Sequence, residues 1–198
     1  MTEILVSDFF IEIVGAVTGL IYLYFSIKQN IWLWPWGIIT SLIYVYVFFQ
    51  AKFYADMSLQ FYYLGVSIYG WYFWRSVQKD DQKKQTSIIR TSTSEWMVFV
   101  SVTILLSWAF GYGLDNFTDS PLPYWDAFTT AGSVVATWML ARKYLEHWLF
   151  WIVIDIVSLG TYIYKGLYPT VVLFSVYSAM AVIGYFQWRK ELNKKTII

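Results

Sequence analysis

The chain has no cysteine and a single histidine, His147. That excludes disulfides, thiol chemistry and any Cys/His metal site. Charge is scarce as well. Charged residues make up 14% of the 198, well below the roughly 25% usual in soluble domains. The net charge of +1 sets up no field that would draw nucleic acid or an acidic partner. No Walker phosphate loop, zincin pattern or G-x-S-x-G occurs, so neither ATP hydrolysis nor the commoner hydrolytic chemistries are written here. Arginine-rich voltage-sensing helices and selectivity-filter runs are missing too, which argues against a channel. The sequence calls for no cofactor and no metal, and it does not read as an enzyme.

What is present is apolar surface. Hydrophobic residues make up 58% of the chain and aromatic residues 22%. A hydrocarbon layer about 30 Å thick takes about 20 apolar residues in a helix. Five uncharged runs meet or approach that length: 31–51, 57–74, 96–114, 127–141 and 166–188. Two more carry one acid each, 9–27 with Glu12 and 148–164 with Asp155. The first of these lacks a basic n-region and a small-residue cleavage site, so it reads as a retained helix. The expected fold class is therefore an all-α integral membrane protein with seven transmembrane helices. The lysine-rich stretch 75–95 reads as a loop, and 115–123, with two acids and two prolines, as a turn.

Basic residues test that count. With the N-terminus outside, seven crossings put twelve of them inside: Lys28, Arg75, Lys79, Lys83, Lys84, Arg90, Arg142, Lys143, Arg189, Lys190, Lys194 and Lys195. Only two, Lys52 and Lys165, fall outside. Removing one span spoils the asymmetry. The positive-inside rule thus places the N-terminus in the periplasm and the C-terminus in the cytoplasm.

The chain also resembles itself at an offset of 114 residues. Trp34 meets Trp148, Ile38 meets Ile152, Tyr54 meets Tyr168 and Leu59 meets Leu173. Tyr63 meets Tyr177, Gly70 meets Gly184, Trp74 meets Trp188 and Arg75 meets Arg189. Glu12 pairs with Asp126 and Lys28 with Arg142. Spans one to three match spans five to seven, and the fourth restores direction. The copies are then two parallel three-helix repeats joined by a linker helix, a 3+1+3 order like that of SWEET carriers. The organisation expected is a first repeat at 9–74, a segment 75–124 holding the loop, linker helix and periplasmic turn, and a second repeat at 125–190.

Asp155 dominates the chemistry. A carboxylate at the centre of a transmembrane helix costs about 2.5–3.5 kcal/mol and usually faces a cavity or a partner. At 100° per residue, Trp148, Trp151, Asp155, Ser158 and Tyr162 share one face. Indoles stack on an aromatic cation and the carboxylate offsets its charge, so the stripe suits a small cationic, hydroxyl-bearing molecule. The plainer reading makes Trp148 an interfacial residue and Asp155 a packed acid. The matching face of the first repeat carries Ser41 and Tyr44, which serve either the solute or interhelical bonds. Gln60 has the same two readings. Asp56 and Thr170 read as helix N-caps. Glu12 and Asp126 read as caps or as an outer acidic rim. Trp71, Trp74 and Trp188 read as interfacial residues, and His147 as a solvated surface residue.

The stretches WPWGIITSLIYVYVFFQAKFYADMSLQFYYLGVSIYGWYFW and ARKYLEHWLFWIVIDIVSLGTYIYKGLYPT resemble the PnuC family of bacterial vitamin transporters, over residues 9–190. The sharpest matches are Tyr54–Ala55 with Leu59–Gln60, the run Tyr69–Gly70–Trp71–Tyr72, and the spacing of Trp148, Trp151 and Asp155. The resemblance implies a SWEET-like fold, a homotrimer in the bacterial inner membrane and facilitated diffusion of nicotinamide riboside. A cytoplasmic kinase would trap the product. Some members of the family have asparagine where this chain has Asp155. A carboxylate suits the thiazolium of thiamine as well as a pyridinium, and neutral riboflavin less. Thiamine uptake and a proton-coupled vitamin carrier therefore stand as alternatives.

Overall fold

Residues 2–27 open the chain as helix α1 (Thr2–Ile27), followed by α2 (Leu33–Gln50) and α3 (Tyr54–Asp80). Then come α4 (Thr93–Phe117), α5 (Pro123–Ala141), α6 (His147–Tyr164) and α7 (Tyr168–Thr196). This computed structural model describes the backbone of residues 2–50, 54–80 and 88–196. It describes the side chains within those ranges except 2–13, 16, 54–56, 77–80 and 195–196. Among the described residues every regular element is a helix. Four helices are long and apolar enough to cross a membrane: α2, α4, α6 and, in its 168–194 stretch, α7.

The chain divides into two compact units, Met1–Thr86 and Ser87–Ile198. In the first, α2 packs against both α1 and α3. In the second, α5 packs against α4 and α6, and α6 against α7. Helix α4 thus belongs with α5, α6 and α7 in the second unit. Small residues on α5 permit this: Ala127, Ala131 and Ala136 are fully buried, and small side chains let backbones approach closely. A Cβ on Gly132 would lie 2.9 Å from Ile154 Cγ1 of α6. Meanwhile α4 exposes Met97, Val98, Ile104, Leu105 and Trp108. An apolar outward face is what a helix presents to acyl chains.

Several boundaries differ from expectation. α3 continues through Arg75–Asp80 and α4 begins at Thr93, so both ends of the expected 75–95 loop are helical. Backbone hydrogen bonding does not stop where an apolar run stops. α4 starts where it does because Ser92 and Glu95 form a reciprocal capping box. α5 starts with Pro123 in its first turn, where a missing N–H costs nothing. α3 and α7 begin at Tyr54 and Tyr168, so Asp56 and Thr170 lie inside their helices and are not N-caps. α1 begins at Thr2, well before Glu12. The side chains of Glu12 and Asp56 lie outside the described residues.

The turn after α1 and the turn after α5 are built alike. Among the described residues, Gln29 and Lys143, 114 residues apart, are the non-glycine residues with positive φ, at 51° and 60°. In the first turn, Gln29 N donates to Ser26 O and Asn30 N to Phe25 O, at 3.0 and 2.9 Å. In the second, Lys143 N donates to Leu140 O and Tyr144 N to Met139 O, at 2.9 and 3.0 Å. Both are Schellman endings with a left-handed residue after the helix.

Each unit also contains one Trp–Gly–Trp lock. Trp34 and Trp74 meet edge to face at 5.4 Å and 89°, and Trp148 and Trp188 at 5.9 Å and 85°. All four indoles are at most 1% exposed. Gly70 and Gly184 make room for them. A Cβ there would lie 2.6 Å from Trp34 Cε2 and 2.7 Å from Trp148 Cε2, respectively. Trp74 and Trp188 are therefore core residues and not the interfacial residues their position at the end of an apolar run predicts. Their helix faces turn toward α2 and α6, where an indole partner waits. Trp71, on a different face of α3, is 39% exposed.

Candidate functional site

Helix α6 carries the polar stripe. Asp155 is 4% exposed, flanked one turn on either side by half-buried Trp151 and buried Ser158. Among the described residues, no donor or cation contacts the Asp155 carboxylate. Charged groups are expensive to bury unless paired, and an intramembrane acid without a structural partner marks a functional position. Tyr162 closes the far end of the stripe, half-buried, with its ring 4.9 Å from that of Phe174.

Trp148 sits at the near end and is sealed in. Its ring packs on Trp188, on His147 at 4.5 Å, and over Gly184. Its indole N–H is buried with no acceptor among the described residues. His147 is also fully buried, contrary to its expected surface role. Its ring lies 4.8 Å from that of Trp188, and Nδ1 is 2.6 Å from Tyr144 O. The α5–α6 turn is too tight to leave the first residue of α6 in solvent.

Ser41, Tyr44 and Gln60 belong to the first unit. Ser41, the repeat mate of Asp155, is equally buried at 4%. Tyr44 stacks on Phe48 at 5.7 Å, and its hydroxyl occupies the space a Cβ on Gly15 would need. Tyr44 thus takes part in packing α1 on α2. Gly37, the mate of Trp151, is covered by Tyr22 and Ser67. Gln60 is half-buried on α3. Positions 114 residues apart are therefore chemically unequal, with an indole and a carboxylate in the second unit where the first has glycine and serine.

Two features escaped sequence reasoning. The first is an ion pair at the end of α6 beyond Tyr162. Lys165 Nζ donates to both oxygens of Asp126 at 3.0 Å, and Ser120 Oγ donates to Oδ2 at 2.8 Å. Asp126 caps nothing, since the N-cap of α5 is Leu122 and no side chain bonds there. A pair this exposed contributes about 0–1 kcal/mol. No local motif links residues 39 positions apart, so only the rim reading of Asp126 hinted at it.

The second feature is a staple between the start of α4 and the α5–α6 turn. Ile89 N donates to Lys143 O and Leu145 N to Ile89 O, at 3.1 and 2.9 Å. Thr91 N and Oγ1 both donate to Glu146 at 2.8 Å, and the Tyr144 hydroxyl donates to Glu95. Burial, then the bond and charge of Glu95, push the Tyr144 hydroxyl up to about 12. In the matching first-unit turn, Asn30 Oδ1 accepts from Trp32 N at 3.0 Å.

Comparison with known proteins agrees with this architecture. The chain is 25% identical to the nicotinamide riboside transporter PnuC of Escherichia coli (strain K12), covering 93% of this chain and 87% of that one. It is 22% identical to the riboflavin/roseoflavin transporter RibM of Streptomyces davaonensis, covering 89% and 83%. The crystal structure of the vitamin B3 transporter PnuC superposes with a TM-score of 0.74 at 24% identity, covering 95% of this chain and 84% of that one. The family model described as nicotinamide mononucleotide transporter matches residues 9–190; the chain belongs to this family, that of the PnuC transporters.

Proposed function

We propose that the protein is a uniporter that takes up nicotinamide riboside by facilitated diffusion. The observation that carries this reading is Asp155, a buried carboxylate with no partner among the described residues, on a stripe with Trp151, Ser158 and Tyr162. A pyridinium stacks on the indole, its charge is met by the carboxylate, and ribose hydroxyls bond to the serine and tyrosine. The name of the Escherichia coli relative supports the choice of vitamin. Ser41, Tyr44 and Gln60 are further residues proposed to bind the solute, and Trp148, sealed in the core, is proposed to hold the near end of the stripe in place.

The proposed frame is a 3+1+3 arrangement of seven spans with the N-terminus periplasmic. The twin Schellman turns and twin Trp–Gly–Trp locks support it. No ATP motif occurs in the sequence, so net uptake is proposed to depend on phosphorylation of the product by a cytoplasmic kinase. The proposed assembly is a homotrimer in the bacterial inner membrane.

The test is calorimetry of the purified protein against nicotinamide riboside, thiamine and riboflavin. Nicotinamide riboside should bind tightest, and Asp155→Asn should weaken it at least about tenfold, equivalent to about 1.4 kcal/mol. Tighter thiamine binding would replace the vitamin and keep the mechanism. Tightest binding of neutral riboflavin, unaffected by Asp155→Asn, would overturn the reading.

A further inference from the structure

Asp126 and Lys165 have no part in the binding stripe as described, and their geometry relates them to it. Lys165 is the C-cap of α6, still helical in φ and ψ at −76° and −6°. Counting 100° per residue, it projects about 80° from the direction of Asp155 and about 20° from that of Ser158, and at 1.5 Å per residue it lies about 15 Å beyond Asp155 along the axis. The ammonium therefore lies past the end of the stripe, on its Ser158 edge. It is held there by Asp126, whose two oxygens both accept it at 3.0 Å. The two side chains stay 24% and 30% exposed. Ser120 Oγ also donates to the carboxylate from the α4–α5 turn at 2.8 Å, so the acid has a hydrogen bond besides those from Lys165.

We propose that Asp126 is a recruitment site for an organic cation at the mouth of the α6 stripe, and that Lys165 is a tethered cation which the solute displaces. This rests on the proposed transport of a cationic vitamin. A lone ammonium at the mouth would repel such a solute, and a lone carboxylate would attract it. Paired, the two present nearly no net charge, and a half-solvated ion pair is close to break-even. Exchanging one cation for another at Asp126 is then nearly free. Lysine suits this better than arginine, because it is a flexible point charge and makes no rigid two-pronged clamp. The displaced ammonium returns to water, and the solute passes on toward Asp155.

The sign of each substitution follows. Asp126→Asn leaves Lys165 uncompensated. Initial uptake of labelled nicotinamide riboside into proteoliposomes, at concentrations below saturation, should fall at least about fivefold, and high salt should restore much of it. Lys165→Gln frees the carboxylate and should raise uptake under the same conditions. Uptake of dihydronicotinamide riboside, the neutral isostere, should change less than about twofold in either variant, because steering acts on charge. Equilibrium affinity by calorimetry should stay close to that of the parent in both, since the solute ends at Asp155. A structural clamp predicts a different pattern, with both variants losing uptake alike, for cation and neutral isostere, with lowered thermal stability. That pattern overturns the proposal, as does a fall in cation uptake with Lys165→Gln. If the parent protein binds no cationic vitamin, the functional reading itself fails, whatever the variants do.

Discussion

At the scale of single residues, two indoles on one stripe have different jobs. Trp151 is half-buried and free to meet a ring, so Trp151→Ala should weaken nicotinamide riboside binding at least about tenfold in calorimetry. Trp148 is sealed against Trp188 and Gly184, so Trp148→Ala opens a cavity in the core. It should cost about 3–5 kcal/mol of stability, read as a large drop in the melting temperature of the solubilised protein. Gly184→Ala should lower it too, because a methyl there meets the indole. Equal melting temperatures for Trp148→Ala and the parent would remove the lock from the account. Asp155 was legible in the sequence because a lone acid in an apolar run has few explanations. Trp74 and Trp188 were misread because burial at a helix end depends on a partner helix. The clue was present all the same, since Trp34, Gly70 and Trp74 each recur 114 residues later.

At the scale of elements, the staple between α4 and the α5–α6 turn carries its own pH dependence. The Tyr144 hydroxyl is raised from its ordinary value of 10.0 to about 12. A group raised on folding contributes stability in full below its unfolded value and loses it as pH rises through its folded one. Unfolding measured between pH 10 and 12 should therefore show a loss of stability that Tyr144→Phe flattens. An identical alkaline profile in the variant would detach Tyr144 from that loss. Helix existence was legible for every element here, because about 20 apolar residues in a row admit little else. Helix ends were not, since the 75–95 stretch is polar whether it is coil or helix. The left-handed residues Gln29 and Lys143 also gave no local sign, as neither is the glycine that such a position favours.

At the scale of the whole molecule, the charge asymmetry makes a prediction about sidedness. Cysteines placed at Arg90 and at Asp119 should differ in labelling by an impermeant reagent in intact spheroplasts, with the second labelled and the first protected. The reverse would invert the topology. Counterflow in proteoliposomes should persist with a protonophore and without sodium; strict dependence on either gradient would favour the proton-coupled or another coupled carrier. Seven helices were countable from apolar runs and basic residues together, whereas the way α4 packs with α5 was not, because an apolar run carries no mark of the helix it joins. The doubled Trp–Gly–Trp lock has a consequence for descent. Each triad closes within its own unit, so drift in one leaves the other untouched. Across diverging members of the family, a side chain gained at position 70 should be accompanied by a smaller residue at 34, and one gained at 184 by a smaller residue at 148. The two triads should show no such correlation with each other, because each is closed inside a separate unit.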